Sequence, residues 1–442
     1  MQTASKKVIN GWAMFDWANS VYNLVINTTF FPIYFIAATS AANNGSSQVP
    51  FLGRDFENSA LYDYTLAVAY LISAALYPIL TSIADTRGNK KRFMQFFCYL
   101  GALACSAMYF FYGDNVGYGV ICFMLAAMGY CGSLVFYNSY LPEIAAEEDR
   151  DRISAKGFSF GYVGSVLMQL IGFALILLMA DDGAATRLTF LLVGIWWMGF
   201  AQITFVRLPK SKRSIEKHDK NVFTEGFKEI RKVYGEVTKL PVLKRFLRSF
   251  FFYSMGVQTV MLAATLFGSK VLNLPSNKLI LTVVAIQLVA IPGAWGMARL
   301  SGKYGNLKVL MGVLMFWILI CIAAFYTAEA AEQGMNAEYA FYGLAIAVGL
   351  VMGGIQALSR STYAKLMPET KDTASFFSYY DFTEKIAIVI GIFSFGFIEE
   401  LTAHRGGMKN SVLSLIVFFT IGLVFLFAAL AKQKRLQKAI KP

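Results

Sequence analysis

The chain has 442 residues, is 57% hydrophobic and only 15% charged, and carries a net charge of +13 with a mean hydropathy of +0.52. A soluble globular protein carries about 25% charged residues, which excludes that class. The apolar residues gather in stretches of 18 or more, long enough to cross a hydrocarbon core of about 30 Å and too weakly alternating for barrel strands, so the chain reads as an all-α polytopic membrane protein.

Twelve spans are expected, at about 11–37, 62–84, 93–113, 116–141, 157–180, 187–206, 246–270, 278–299, 308–328, 338–362, 374–399 and 409–431. Met1–Asn10 carries Lys6 and Lys7 without the short apolar core and small-residue cleavage site of a signal peptide. The first span is therefore expected to act as its own insertion signal.

Span one holds the first anomaly. It reads Trp12–Ala–Met–Phe–Asp16–Trp–Ala–Asn19–Ser–Val–Tyr–Asn23–Leu–Val–Ile–Asn27. At about 100° per residue, Asp16, Asn19, Asn23 and Asn27 share one stripe of a helix. An ionisable group at membrane depth is costly unless it faces protein or water, so the stripe is a functional-site candidate. Asp16 is either a coupling site that exchanges a proton or a pin that fixes the helix near one membrane face. The asparagines are either solute ligands or interhelical ties.

After span two comes Thr81–Ser–Ile–Ala–Asp85–Thr–Arg87–Gly88–Asn89–Lys90–Lys–Arg92. Span four ends in Tyr137–Asn138–Ser–Tyr–Leu–Pro142–Glu143, and span five is entered through Arg152–Ile–Ser–Ala–Lys–Gly–Phe–Ser–Phe–Gly–Tyr162. The residues 207–245 form the one long connection. It opens with a basic run and continues with Phe223, Phe227, Ile230, Tyr234 and Val237 at helical spacing. That pattern predicts an amphipathic helix, lying on the membrane surface or under the bundle, as a linker or a docking element. The chain is thus expected to divide into 1–206, the linker 207–245, and 246–442.

In the second half, span seven contains Tyr253–Ser254–Met255–Gly256–Val257–Gln258–Thr259, and Gln287 lies in span eight. Ala298–Arg299–Leu–Ser–Gly302–Lys303–Tyr–Gly305–Asn306–Leu–Lys308 follows span eight. Span ten carries Gly349, then Gly353–Gly–Ile–Gln356–Ala–Leu–Ser359–Arg360–Ser–Thr–Tyr363, and ends at Pro368–Glu369. Gln356 and Arg360 share a face. Arg360 is suited to a substrate carboxylate or phosphate, and equally to a loop acid or a lipid phosphate. Gly349 and Gly353 have the spacing of a close helix contact. Span eleven places Asp381, Glu384 and Lys385 at i, i+3 and i+4. They form either a static ion pair or a cluster that changes partners and carries the proton.

Two landmarks recur across the linker. Gly88 and Gly305 are 217 residues apart, and Pro142 and Pro368 are 226 apart. Both offsets are close to half the chain, which implies two parallel six-helix repeats. That architecture resembles the major facilitator superfamily. The loop at Asp85 resembles its G-x-L-A-D-R-x-G-R-K motif, with Thr81 in place of the leading glycine and Asn89 in place of a basic residue. The resemblance implies that Asp85, Arg87, Gly88 and Lys90 belong to a gate between the halves. It also implies that spans one, four, seven and ten line a central cavity, which adds Tyr137, Asn138, Gln258 and Gln356 as candidates.

The segments quoted from spans one, four, five, ten and eleven, taken together, resemble the "unknown major facilitator" family, the branch related to the yeast vacuolar amino-acid effluxer. The resemblance covers almost the whole chain. It implies a secondary transporter of a small polar solute, with an amino acid as the best guess, driven by a proton or sodium gradient and monomeric by default. Relatives commonly carry an acid just before the Gly–Val–Gln–Thr run, where this chain has Met255. Competing readings are a lipid or lipid-linked precursor translocase and a transport-inactive sensor, the latter disfavoured by the short linker and tails.

With both termini on one side, that side collects 33 Lys and Arg, against six on the other. The positive-inside rule predicts cytoplasmic termini, in a bacterial inner membrane. Anionic lipid headgroups are then sufficient partners for the net charge, and nucleic acid is not needed. The five cysteines all fall inside spans and read as packing residues. With only His218 and His404, and no G-x-x-x-x-G-K-[ST], neither histidine-based chemistry, a metal centre nor ATP hydrolysis is expected, and no cofactor is implied.

Overall fold

The computed structural model describes residues 2–210, 222–402, 404 and 406–440. His218, Arg405 and the basic run beyond Lys210 lie outside the described residues. The first span is one continuous helix in three parts: α1 (Lys6–Val21), a π-helical segment (Tyr22–Phe30) and α2 (Phe31–Ala42). A short hairpin follows, β1 (Gln48–Phe51) paired antiparallel with β2 (Arg54–Glu57). Sequence periodicity does not announce it, because each strand has only four residues. Its turn relies on left-handed backbone at Leu52 and Gly53, φ 49° and 76°.

The remaining elements are helical. They are α3 (Asn58–Arg87), α4 (Lys90–Ala107), α5 (Val116–Ser139), the one-turn α6 (Leu141–Ile144), α7 (Arg150–Leu178) and α8 (Asp182–Arg207). The linker helix α9 (Val222–Lys239) leads to α10 (Pro241–Lys270), α11 (Ser276–Tyr304), α12 (Asn306–Glu332), α13 (Glu338–Leu366), α14 (Thr373–Leu401) and α15 (Met408–Ile440). Among the described residues, ten helices are long and apolar enough to cross a membrane. The central charges of α14 (Asp381, Glu384 and Lys385) keep its composition outside that set. Helices exceed the apolar spans at their ends. Seven begins at Pro241, inside the stretch read as linker, because a helix can continue past the hydrocarbon on Lys244, Arg245 and Arg248.

Helix ends follow local chemistry. Gly88 ends α3 in the left-handed region at φ 65°, and its N–H returns to the chain at Ala84. Asp181 caps α8 by accepting from the N–H groups of Gly183 and Ala184. Pro78 and Pro292 interrupt α3 and α11 at matching places in the two repeats.

α1 packs on α7 and α8, α4 on α5 and α8, and α3 on α5. The second group repeats this pattern: α10 packs on α14 and α15, α12 on α13 and α15, and α11 on α13. A Cβ on Gly353 would sit 2.1 Å from the Ala290 carbonyl oxygen, so the small residues of α13 do let it press on α11. The groups meet where α7 touches α11 and α13, and where α14 touches α3 and α5. α9 lies under the bundle against α3, α10 and α14, with Val233 and Val237 buried. Tyr234 is mostly exposed, its ring 6.5 Å from that of Tyr379. The side chains of Phe223, Phe227 and Ile230 lie outside the described residues. All five cysteines are buried and unpaired.

Candidate functional site

A cavity of about 130 Å³ lies between the two six-helix groups. From the first group, Asp16, Ser20, Asn23, Tyr70, Tyr130, Asn138 and Phe158 reach it. From the second come Phe250, Tyr253, Gln258, Gln356, Ser359, Arg360, Tyr380, Glu384 and Lys385. Both charge signs, amides and aromatic rings thus converge from helices far apart in the chain.

The side nearest the termini is floored by an ion pair between the groups. Arg360 Nη1 lies 3.2 Å from Asp16 Oδ2, with both residues almost fully buried. Arg360 also donates to Asn138 Oδ1 at 3.2 Å, to Ser154 Oγ at 3.0 Å and to the Ser154 carbonyl at 2.9 Å. Tyr137 donates its hydroxyl to Asp16 Oδ2 at 2.7 Å, and Trp12 donates its indole N–H to the Tyr137 carbonyl. The guanidinium lies 4.2 Å from the centre of the Phe158 ring and 4.8 Å from that of Trp12. Burying two charges is costly, and only this density of partners compensates it. Gly157 makes the approach possible: a Cβ there would fall 2.4 Å from Asp16 Oδ2 and 2.9 Å from Arg360 Nη2.

The α14 wall carries the second charge cluster. Lys385 Nζ lies 3.4 Å from Asp381 and 3.4 Å from Glu384. Gln258 donates to Glu384 at 3.3 Å, and Lys385 lies over the Tyr70 ring at 5.3 Å. Asp381 sits behind this wall, off the cavity lining, while Glu384 and Lys385 face it. Tyr162 donates to Gln356 Oε1 at 2.8 Å, which ties α7 to α13 beside the cavity. Met255 is buried and does not line the cavity; Tyr253 does, its hydroxyl 2.6 Å from that of Ser359.

The asparagine stripe divides. Asn23 lines the cavity, and Asn27 donates to Asn23 Oδ1 at 3.2 Å but is itself buried. Asn19 is fully buried, with neither side-chain polar atom paired. Two causes separate them. The lining of the cavity is narrower than the stripe, so that Asp16, Ser20 and Asn23 reach it and Asn19, at the edge of the stripe, does not; and beyond Asn23 the π segment has more residues per turn, so the α-helical phase no longer places Asn27.

On the face that carries the termini, two clusters join the groups. Asp85 accepts from the Ser375 N–H at 2.8 Å, from the Ser375 hydroxyl at 2.9 Å and from the Ala374 N–H at 3.3 Å. A carboxylate of α3 thereby caps the first turn of α14, where orphan N–H groups and the helix dipole favour an anion. Lys90 adds contacts to Glu143 and Thr373 and lies 3.6 Å from Asp85. Arg87 is exposed and takes no part, and Gly88 supplies the turn.

The second cluster escaped the sequence reading. Asp151, in the first turn of α7, accepts from Lys365 at 2.6 Å, from Ser301 at 2.6 Å and from Asn306 at 2.7 Å. The internal repeat could have revealed it, because Asn306 follows Gly305 as Asn89 follows Gly88, and α7 begins where α14 begins in the other half. Glu143 and Ser154 were also missed. Both lie within or beside motifs of the sequence, but the contacts that carry them across the seam, to Thr373 and Arg360, are over 200 positions away. Gln287 lies off the cavity, bonded to Gln169. Among the described residues, no group of three or more His, Cys, Asp or Glu is placed to hold a metal ion.

A family model described as "Vacuole effluxer Atg22 like" matches residues 4–439. The chain is similar to the uncharacterized MFS-type transporter YxiO of Bacillus subtilis, 31% identical over 94% of this chain and 93% of that one. It is 20% identical to autophagy-related protein 22-1 of Penicillium rubens, over 96% of this chain and 90% of that one. Among solved structures it resembles the proton:xylose symporter XylE, with a TM-score of 0.69 at 12% identity, covering 96% and 94% of the two chains. A bacterial homologue of the iron transporter ferroportin, in its outward-facing state, gives a TM-score of 0.68 at 13% identity, with 96% and 98% covered. These likenesses establish the twelve-helix fold, and the match over almost the whole length establishes the family. The chain is a member of the Atg22-like family of major facilitator transporters.

Proposed function

We propose that this protein is a secondary active transporter that carries a small polar solute, with amino acids as the cargo class, by alternating access. One observation carries the reading. A small cavity of mixed charge is lined from both six-helix groups and sealed on one side by two ion pairs between them and by the Asp85 cap on α14. A zwitterion needs both an acid and a base within its own length. Glu384 suits its ammonium, and Lys385 or Arg360 suits its carboxylate. Asn23, Asn138, Gln258 and Gln356 supply neutral hydrogen bonds.

In this reading residues 1–206 and 246–442 move as two units, and the terminal face, with its excess of Lys and Arg, is cytoplasmic. The conformation is closed to the cytoplasm by the Asp16–Arg360 and Asp151–Lys365 pairs and by the contacts of Asp85, Lys90 and Glu143 with the first turn of α14. Opening requires all three to part, and cargo bound to Arg360 or Lys385 changes the balance of charge that holds them. Asp16 is the coupling residue on the cytoplasmic floor, since any loss of its charge releases Arg360.

Solute uptake into proteoliposomes tests the proposal. Amino acids, peptides, nucleosides and sugars are screened with and without imposed proton and sodium gradients. Accumulation of a small amino acid above equilibrium is expected. Saturable binding of any solute without flux would remove the transporter reading.

A further inference from the structure

The π segment of span one meets Gln169, and through it Gln287, at a place the cavity does not use. The Leu24 carbonyl oxygen accepts from Thr28 Oγ1 at 2.9 Å, from Thr29 Oγ1 at 3.2 Å and from Gln169 Nε2 at 3.3 Å. Gln169 Nε2 also donates to Thr29 Oγ1 at 3.1 Å, and Gln287 Nε2 donates to Gln169 Oε1 at 2.9 Å. Gln169, Gln287 and Thr29 are buried. Gln287 Oε1 is buried with no hydrogen-bond partner. A buried acceptor left unpaired is uncommon and calls for an explanation. A nine-residue π stretch is also rare, and such irregularities gather at functional sites.

We propose that this junction is a sodium site formed by the Leu24 carbonyl, the Thr28 and Thr29 hydroxyls, and the side-chain carbonyls of Gln169 and Gln287. The Leu24 carbonyl oxygen and the two threonine hydroxyls lie together, and Gln169 joins them to Gln287, whose Oε1 is the unpaired acceptor, so that five neutral oxygens lie along one chain of contacts. Oxygen ligands select hard cations, and the absence of a carboxylate from the set disfavours divalent ions, whose sites rely on charged ligands. None of the five groups titrates near neutral pH, so a proton is not the ligand. Irregular backbone carbonyls in a spanning helix are a recurrent way to hold Na⁺. Threonine hydroxyls turn a lone pair toward the ion by rotating the proton away, and an amide exchanges its nitrogen and oxygen by a half-turn. Thr28, Thr29 and Gln169 belong to the first six-helix group, and Gln287 to the second. An ion bound here ties the π segment and α7 to α11, beside the cavity but away from the terminal face. Its role as the driving ion rests on the transporter reading; its binding does not.

Binding is read on the purified full chain by thermal unfolding, in sodium chloride against choline chloride at constant ionic strength. A saturable rise in Tm with sodium is expected, because an ion that binds only the folded state stabilises it by mass action. Thr29→Val and Gln287→Leu keep the shape and lose an oxygen, and each is expected to abolish the sodium-specific rise. Gln287→Glu adds a charge and is expected to lower the sodium concentration for half effect several-fold. An identical Tm in the two salts, or a sodium-specific rise unchanged in Thr29→Val and Gln287→Leu, overturns the site. Cargo flux without any sodium response of Tm removes the sodium site and leaves the transporter. A saturable sodium response in a chain that moves no solute keeps the site and removes the transporter reading.

Discussion

Asp16 and Arg360 lie 344 positions apart, which is why a single sequence marks both as anomalies without pairing them. Breaking one partner of a buried pair costs about 3–5 kcal/mol, whereas replacing both is far milder. Arg360→Gln alone is therefore expected to lower Tm strongly, and Asp16→Asn with Arg360→Gln to recover most of the loss. Additive losses in the double variant, measured by thermal unfolding, would contradict the pairing. Gly157→Ala tests the same contact through space. Its methyl group must displace the Asp16 carboxylate, so destabilisation comparable with Asp16→Asn is expected, and a neutral effect would show that the helices separate readily. On α14, Lys385→Met leaves Asp381 buried without its cation. Loss of folded protein is expected there, with rescue by Asp381→Asn, followed by size-exclusion yield. Failure of that rescue would point to a partner-changing cluster.

The apolar runs revealed the helices because burial in lipid leaves a helix few polar residues. Boundaries were less legible, since helices such as α10 extend beyond the hydrocarbon on charged turns. The asparagine stripe shows a different limit. Asn19 precedes Tyr22 and is buried off the cavity, while Asn23, within the π segment, lines it; π geometry is set by tertiary contacts such as those of Gln169 and cannot be read from spacing. The motif after span two marks Asp85 and Lys90 but not what they touch, the first turn of α14 and Glu143. An element-scale prediction follows from that cap. Asp85→Ala leaves the N–H groups of Ala374 and Ser375 without their anion and weakens the closure. Ser154→Cys, buried behind the floor, is expected to react with a hydrophilic thiol reagent several-fold faster when Asp85→Ala is added. Equal rates would show that the cap does not hold the face shut.

For the whole molecule, the internal repeat was the most informative sequence feature. It predicted two six-helix groups, and the contacts of α7 with α11 and of α3 with α14 form their seam. It did not predict that the seam is bonded so unequally. The terminal face carries charged clusters at Asp85 and Asp151, while Gln169 and Gln287 make a neutral tie elsewhere. Such asymmetry is what a two-state carrier needs, because each face must open in turn. Spin-label distances test this most directly, with one pair at Arg87→Cys and Lys371→Cys on the terminal face and another at Asn44→Cys and Asn273→Cys on the opposite face, all exposed positions. With cargo and an ion gradient present, the first distance is predicted to lengthen and the second to shorten. If both stay fixed, or both change in the same direction, the alternating-access account is contradicted.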